Sequence, residues 1–239
     1  SNAPILLTGC IPPDFEQKLL SENSNVSLAN LDVLRKNPDL LNEWLKGNGF
    51  RENLKEKTPR IFTPGMAQES PHIGILNISD GCLDACSFCS TRLVKGKHRS
   101  VSPEKILSEA KRYLENGCKE LWLTGQDTSC YGFDIGTNLA ELAKKILEQN
   151  SGDYKIRLGM GNPRHLEKYL NEMLSVYEDD RIYKFIHLPV QSGSDSVLQA
   201  MGRKHNVNTF RKMAEAFISK FSYFTLSTDI IVGFPGETR

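Results

Sequence analysis

Three of the chain's six cysteines fall within one short stretch, Gly81-Cys82-Leu83-Asp84-Ala85-Cys86-Ser87-Phe88-Cys89-Ser90, with the spacing C-x3-C-x2-C. Thiolates this close on a loop can converge on a soft metal centre, and a cubane iron–sulfur cluster takes cysteine sulfur on its irons. Three protein ligands leave one iron open, which suits a cluster that binds a substrate or cofactor better than one that only stores an electron. Structural zinc instead shows two C-x2-C or C-x2-H pairs well separated in sequence, and Cys118 and Cys130 each stand alone. A two-cluster ferredoxin carries a C-x2-C-x2-C-x3-C-P run, and a disulfide scaffold does not fit six cysteines in 239 residues.

The surrounding text narrows the chemistry. Cys82, Cys86 and Cys89, with aromatic Phe88 before the last, resemble the signature of the radical S-adenosylmethionine (SAM) superfamily. Leu123-Thr124-Gly125-Gln126-Asp127, His187-Leu188-Pro189-Val190-Gln191-Ser192-Gly193-Ser194, Met201-Gly202-Arg203-Lys204 and Thr228-Asp229-Ile230-Ile231-Val232-Gly233-Phe234-Pro235-Gly236-Glu237-Thr238 resemble the methylthiotransferases within it. Gly117-Cys118-Lys119-Glu120-Leu121-Trp122-Leu123-Thr124 and Gln126-Asp127-Thr128-Ser129 are most similar to the archaeal and eukaryotic branch, which acts on N6-threonylcarbamoyladenosine in tRNA.

That resemblance implies a set of roles. Cys82, Cys86 and Cys89 would hold a [4Fe-4S] cluster whose free iron chelates SAM. Phe88 would pack by the adenine, or shield the cluster. Gln126 and Asp127 would meet the methionine amino group, and Gln191, Ser192 and Ser194 the ribose hydroxyls or carboxylate, with a helix cap as the other reading of Ser194. Asp229, read as a carboxylate in a buried strand, needs a partner; His187 reads as a hydrogen-bonded core histidine. Thr8-Gly9-Cys10-Ile11-Pro12 matches the third cysteine of an auxiliary [4Fe-4S] cluster in the family's N-terminal domain. No cysteine precedes Cys10 here, so that second cluster is not expected to form in this chain.

Strand and helix periodicities say what must position these residues. Ile73 to Ser79 reads as a buried strand, and Ser102-Pro103 opens a helix with Ile106, Leu107, Ala110, Tyr113 and Leu114 on its apolar face. Strands follow at 120–124, 155–160, 183–190 and 224–232, with helices at 139–149, 166–177, 194–201 and 208–220. Repeated βα units imply a parallel sheet with right-handed crossovers, and active-site loops at the strand C-terminal ends. Gly159-Met160-Gly161 reads as a turn. Before these units, strands at 4–10 and 26–29 precede a helix begun by Asn37-Pro38, with Leu40, Leu41, Trp44 and Leu45 on one face. The expected fold is α/β: a radical-SAM partial (βα)6 TIM-like barrel, truncated after its fifth strand. A fragment of an α/β methylthiotransferase N-terminal domain precedes it. The expected boundaries are 1–3 expression scar, 4–50 N-terminal domain remnant, 51–71 linker and 72–239 radical-SAM domain, without the family's RNA-binding TRAM domain.

Composition agrees with a soluble protein: 39% hydrophobic and 25% charged residues, with a net charge of +1. No apolar run approaches the roughly 20 residues that span a bilayer, so no membrane is expected, and iron–sulfur cysteines point to the reducing cytoplasm. With so little net charge, an RNA partner needs a local basic patch. Arg92, Lys95, Lys97, His98 and Arg99 supply one after the cysteines, and Arg51, Lys55, Lys57 and Arg60 lie in the linker. The function expected from the resemblance is insertion of a methylthio group at C2 of N6-threonylcarbamoyladenosine beside the anticodon, with little transferase activity in this chain alone. The partners are the tRNA anticodon loop, SAM and an electron-donor protein. Two other readings stay open: a sister enzyme acting on another tRNA adenosine or a ribosomal protein, and a non-catalytic iron–sulfur or zinc RNA-binding module.

Overall fold

The computed structural model describes residues 4–9, 11–29, 33–34, 37–47 and 71–238. The expectations for residues 1–3, for Cys10 and for the linker bases Arg51, Lys55, Lys57 and Arg60 lie outside them. The described residues form two units. In the first, β1 (Ile5–Thr8) pairs in parallel with β2 (Val26–Ala29) across α1 (Pro13–Glu22), and α2 (Pro38–Leu45) follows; α3 (Thr91–Lys95) belongs to the same unit. The α1 helix has no counterpart in the sequence reading, since its charged residues leave a weak apolar period. On the apolar face read for α2, Leu40 and Trp44 are half-buried and Leu41 and Leu45 are exposed.

The second unit carries the repeating βα pattern. Strands β3 (Ile73–Asn77), β6 (Glu120–Thr124) and β7 (Lys155–Leu158) form a parallel sheet, with Leu76 opposite Leu123 and Leu121 opposite Ile156. The same direction continues outward. Ile156 bridges Ile182 in parallel, and β8 (Phe185–His187) pairs in parallel with β9 (Thr225–Ser227). Each new parallel strand thus adds beside its predecessor, as consecutive βα units do. A small antiparallel pair, β4 (Ser79–Asp80) with β5 (Arg99–Ser100), flanks the loop after β3.

Period-two alternation divides the strands between two faces. Leu76, Leu121, Leu123 and Ile156 have at most 1% exposure and pack against the helices. Those helices are α4 (Pro103–Glu115) through Ile106, Ala110 and Tyr113, α5 (Leu139–Gln149) through Leu142, Ala143 and Ile146, and α9 (Val207–Lys220) through Met213 and Phe217. Each fully buried aliphatic side chain contributes about 1.5–3 kcal/mol, so this layer is the main stabilising term. The other face carries Trp122, Arg157 and Phe185, with the guanidinium stacked over both rings.

Several elements differ from their sequence reading. The helix expected at 166–177 is broken into α6 (Pro163–Leu166), a 3-10 turn over Glu167–Tyr169 and α7 (Leu170–Val176). Tyr169 causes the break: its hydroxyl donates to the Ser129 carbonyl at 2.6 Å, and its backbone leaves helical geometry at φ −138°. The strands expected at 183–190 and 224–232 shrink to β8 and β9, because the segments beyond them turn into the mouth described below. The next helix, α8, covers Asp195–Ala200. Ser102 stands at the N-cap of α4, yet its side chain makes no capping bond.

Candidate active site

The loops after the five strands meet at their C-terminal ends, and hydrogen bonds link each to the next. The Ile78 N–H donates to Thr124 O, Thr128 N–H to Met160 O, Gly161 N–H to His187 O, and Gln191 N–H to Asp229 O. Into this rim the cysteine loop is fixed from two sides.

On the β6 side, the Gly81 N–H donates to Gln126 Oε1 at 2.8 Å. The Asp84 N–H turns back to Cys82 Sγ at 3.4 Å, and the Cys89 N–H to Cys86 O at 3.1 Å. Burial pushes the Cys82 thiol up to about 11, aided by the nearby carboxylates of Asp127 and Asp84 and by Cys86. Bound metal takes the place of such a proton. On the β8 side, the Ser87 N–H donates to Met201 O at 2.9 Å. Arg203 Nη1 reaches Cys86 Sγ at 3.6 Å while Nη2 donates to Pro189 O at 2.9 Å. Gly202 has φ +71°, and a Cβ there would stand 3.2 Å from Ala85 O, so only glycine fits comfortably against the cysteine loop.

A buried polar network lies beneath the loop. Asp84, between the first two cysteines, is 4% exposed. It accepts from Asn162 Nδ2 at 2.5 Å and pairs with the Arg164 guanidinium. Asp127 is 2% exposed, and both its oxygens are engaged: Oδ1 by Ser129 N–H, Ser129 Oγ and Asn162 N–H, Oδ2 by His165 Nδ1 at 2.8 Å. Burial alone would raise this carboxyl; the His165 imidazole, Ser129 and Asn162 outweigh it and hold it below the ordinary carboxylate value. Cys130, fully buried, sits 3.3 Å from His98 Nδ1, and burial drives its thiol far up. Gly159 and Gly161 let β7 come close. A Cβ on Gly159 would stand 2.7 Å from Leu123 O, so the pair is a packing device where the sequence reading had only a turn.

The remaining residues singled out from sequence occupy the same rim. Phe88 is 40% exposed. Gln191 is buried with φ +74°, a left-handed conformation held by the bonds of its N–H to Asp229 O and of Ile231 N–H to its own carbonyl. Ser192 is buried and its Oγ accepts from Ser194 N–H; Ser194 Oγ meets Ser196 Oγ and makes no capping bond at α8. The buried setting expected for Asp229 is not found. Its side chain is 55% exposed, past the end of β9 where no further strand covers it among the described residues, and it pairs with His187 Nε2 at 3.0 Å. His98 leaves the basic stretch altogether: it is 6% exposed and burial lowers its pKa, whereas Arg92, Lys97 and Arg99 are exposed. Asp84, Asn162, Arg164 and His165 were missed by the sequence reading. The acid between two cysteines was the available signal.

The donor set fits a cluster better than a single ion. Among the described residues, Asp127, Cys130 and His165 form the group of three whose ligand atoms lie within 4.8 Å of one another, and they already bond internally. The three loop cysteines do not close to that spacing. One zinc with thiolates at about 2.3 Å would require it, whereas a cubane spreads its cysteines over separate irons.

Comparison with known proteins agrees with this geometry. The family model described as "Radical SAM superfamily" matches residues 76–239. A Pyrococcus horikoshii protein named "Probable threonylcarbamoyladenosine tRNA methylthiotransferase" is 40% identical over 238 residues, which cover 98% of this chain and 55% of that protein. The Homo sapiens "Threonylcarbamoyladenosine tRNA methylthiotransferase" is 36% identical over 245 residues, 99% of this chain and 42% of its own length. The chain therefore spans about half the length of the curated relatives it matches. Among solved structures, the apo form of the cobalamin-dependent SAM radical enzyme OxsB gives a TM-score of 0.63 at 16% identity, covering 95% of this chain and 35% of that one, a likeness of fold alone. A match over most of its length, with the cysteine loop set at the strand ends, means that the chain belongs to the radical SAM superfamily.

Proposed function

We propose that this chain is the SAM-cleaving part of a tRNA methylthiotransferase that acts at C2 of N6-threonylcarbamoyladenosine next to the anticodon. The observation that carries the reading is the C-x3-C-x2-C loop, clamped at the strand ends by Gln126, Asp84 and Arg203 and followed by the motifs of that branch. The names of archaeal and eukaryotic relatives favour the threonylcarbamoyladenosine branch over a sister enzyme. Cys82, Cys86 and Cys89 would hold a [4Fe-4S] cluster, which would supply the one electron that cleaves the sulfur–carbon bond of SAM. Around it, Gln126 and Asp84 fix the loop, and the half-exposed Phe88 ring stands ready to pack an adenine. Gln191, Ser192, Ser194 and Asp229 line the far rim, where hydroxyl and carboxylate groups of SAM can be met.

A radical must be kept from water, and the helix-backed sheet gives one dry wall for that purpose. The tRNA approaches with a flipped, single-stranded base, and exposed Lys97 and Arg99 supply charge for its phosphates. An electron-donor protein and a cytoplasmic setting complete the reading. Among the described residues no helix is long and apolar enough to cross a membrane.

Two measurements test the proposal. Anaerobically reconstituted chain, given SAM and dithionite, should release 5′-deoxyadenosine slowly, and Cys86→Ala should release none. In a strain lacking the gene, mass spectrometry of tRNA nucleosides should find N6-threonylcarbamoyladenosine without its 2-methylthio form. An unchanged nucleoside profile would remove the substrate assignment.

A further inference from the structure

We propose that Arg203 is a positioning residue that holds Cys86 and raises the electron affinity of the cluster; the inference rests on the three cysteines carrying that cluster. Arg203 follows α8, and its guanidinium is fixed in two directions, by Nη1 to Cys86 Sγ at 3.6 Å and by Nη2 to Pro189 O at 2.9 Å. Its backbone is fixed as well, the Arg203 N–H donating to Leu198 O and the preceding Gly202 lying against Ala85. The third direction is unmet: Arg203 Nε is buried and has no partner among the described residues. A buried donor left unpaired is costly, so the side chain is not placed there for its own hydrogen bonding. What the placement achieves is a fixed cation at a cysteine sulfur.

The consequence follows from charge. Reduction adds one electron to the cluster, here from dithionite, and makes and breaks no bond. The reduced form carries one more negative charge, and a guanidinium N–H on a ligand sulfur stabilises that form over the oxidised one. Neighbouring His205 cannot substitute as a cation: it is 8% exposed and burial lowers its pKa to about 4. On the other side of the loop Asp84 is paired with the Arg164 guanidinium and Asp127 with His165, whereas Arg203 reaches a ligand sulfur itself.

The test is an EPR-monitored redox titration of the reconstituted chain without SAM, alongside iron and sulfide analysis. Arg203→Met should bind electrons about tenfold more weakly, a midpoint about 59 mV more negative for a one-electron couple. Arg203→Lys, which keeps the charge, should stay near the parent. If Arg203→Met loses its iron, the neutral Arg203→Gln replaces it in the same comparison. A neutral variant with the parent's midpoint, or a lysine variant displaced as far as the neutral one, overturns the inference. Failure of the parent chain to bind iron and sulfide at all would instead overturn the cluster assignment.

Discussion

Asp84 shows how far single residues could be read. Its position between Cys82 and Cys86 is visible in the sequence, but Asn162 and Arg164 lie 78 and 80 residues away, and nothing local announces them. The cysteines were legible because spacing on one loop is local information; their supports were not, because those come from other βα units. Asp84→Ala would leave Asn162 Nδ2 and the Arg164 guanidinium without their acceptor. Breaking a fully buried pair costs about 3–5 kcal/mol. With the Arg164 side chain 33% exposed, water offsets part of that, and about 2 kcal/mol is expected. Urea unfolding of the metal-free chain should show a lower midpoint at unchanged slope. His205 supplies the pH dependence. Among the described residues both its ring nitrogens are buried without a hydrogen-bond partner, and burial, with Arg203 next, lowers its pKa to about 4. The unfolded chain takes that proton near pH 6.5, so the folded state's advantage is intact above about 6.5 and is lost as pH falls towards 4, at about 1.4 kcal/mol per pH unit for one proton. Urea midpoints between pH 7 and pH 4.5 should fall less steeply in His205→Leu, the remaining slope including buried His98.

The elements were read best where one periodicity ruled. The strand at Glu120–Thr124 and the helix at Leu139–Gln149 have the boundaries that their alternation and caps indicate, because each buries one face against a neighbouring layer. Legibility failed where a tertiary bond overrode the local pattern, as when Tyr169 reached Ser129 and broke a helix. It also failed where strand ends were diverted into the rim, as at Gln191 and Asp229. Glycines at the rim belong to this scale, since they set how closely elements approach. Gly202 and Gly136 have similar backbones, φ +71° and +75°, but a Cβ on Gly136 would meet nothing within 4 Å, whereas one on Gly202 would press on Ala85 of the cysteine loop. Alanine at either should cost about 1–2 kcal/mol for the left-handed conformation. Only Gly202→Ala should also lower iron content after reconstitution. Equal iron in the two variants would mean that α8 does not support the loop.

At the scale of the whole molecule, the order of βα units and the placement of the cysteine loop and of Gln126, Gln191 and Asp229 beyond strand ends were legible, because a parallel sheet admits few connections. The first unit was read less well, since α1 was missed. The chain as a whole makes a stoichiometric claim that separates its cysteines. Cys118 and Cys130 are at most 2% exposed, and Cys130 Sγ is already engaged by His98 Nδ1 and the Asp127 carbonyl, apart from the loop trio. Cys10 lies outside the described residues. The loop trio remains, half-buried to exposed and held open by supports on both sides. Anaerobic reconstitution should therefore yield about four iron and four sulfide per chain, the content of one cubane. Cys82→Ala, Cys86→Ala or Cys89→Ala should each abolish most of it, while Cys10→Ala and Cys118→Ala should leave it unchanged. Twice that iron content, or its loss on changing Cys10, would show that the first unit binds a cluster as well.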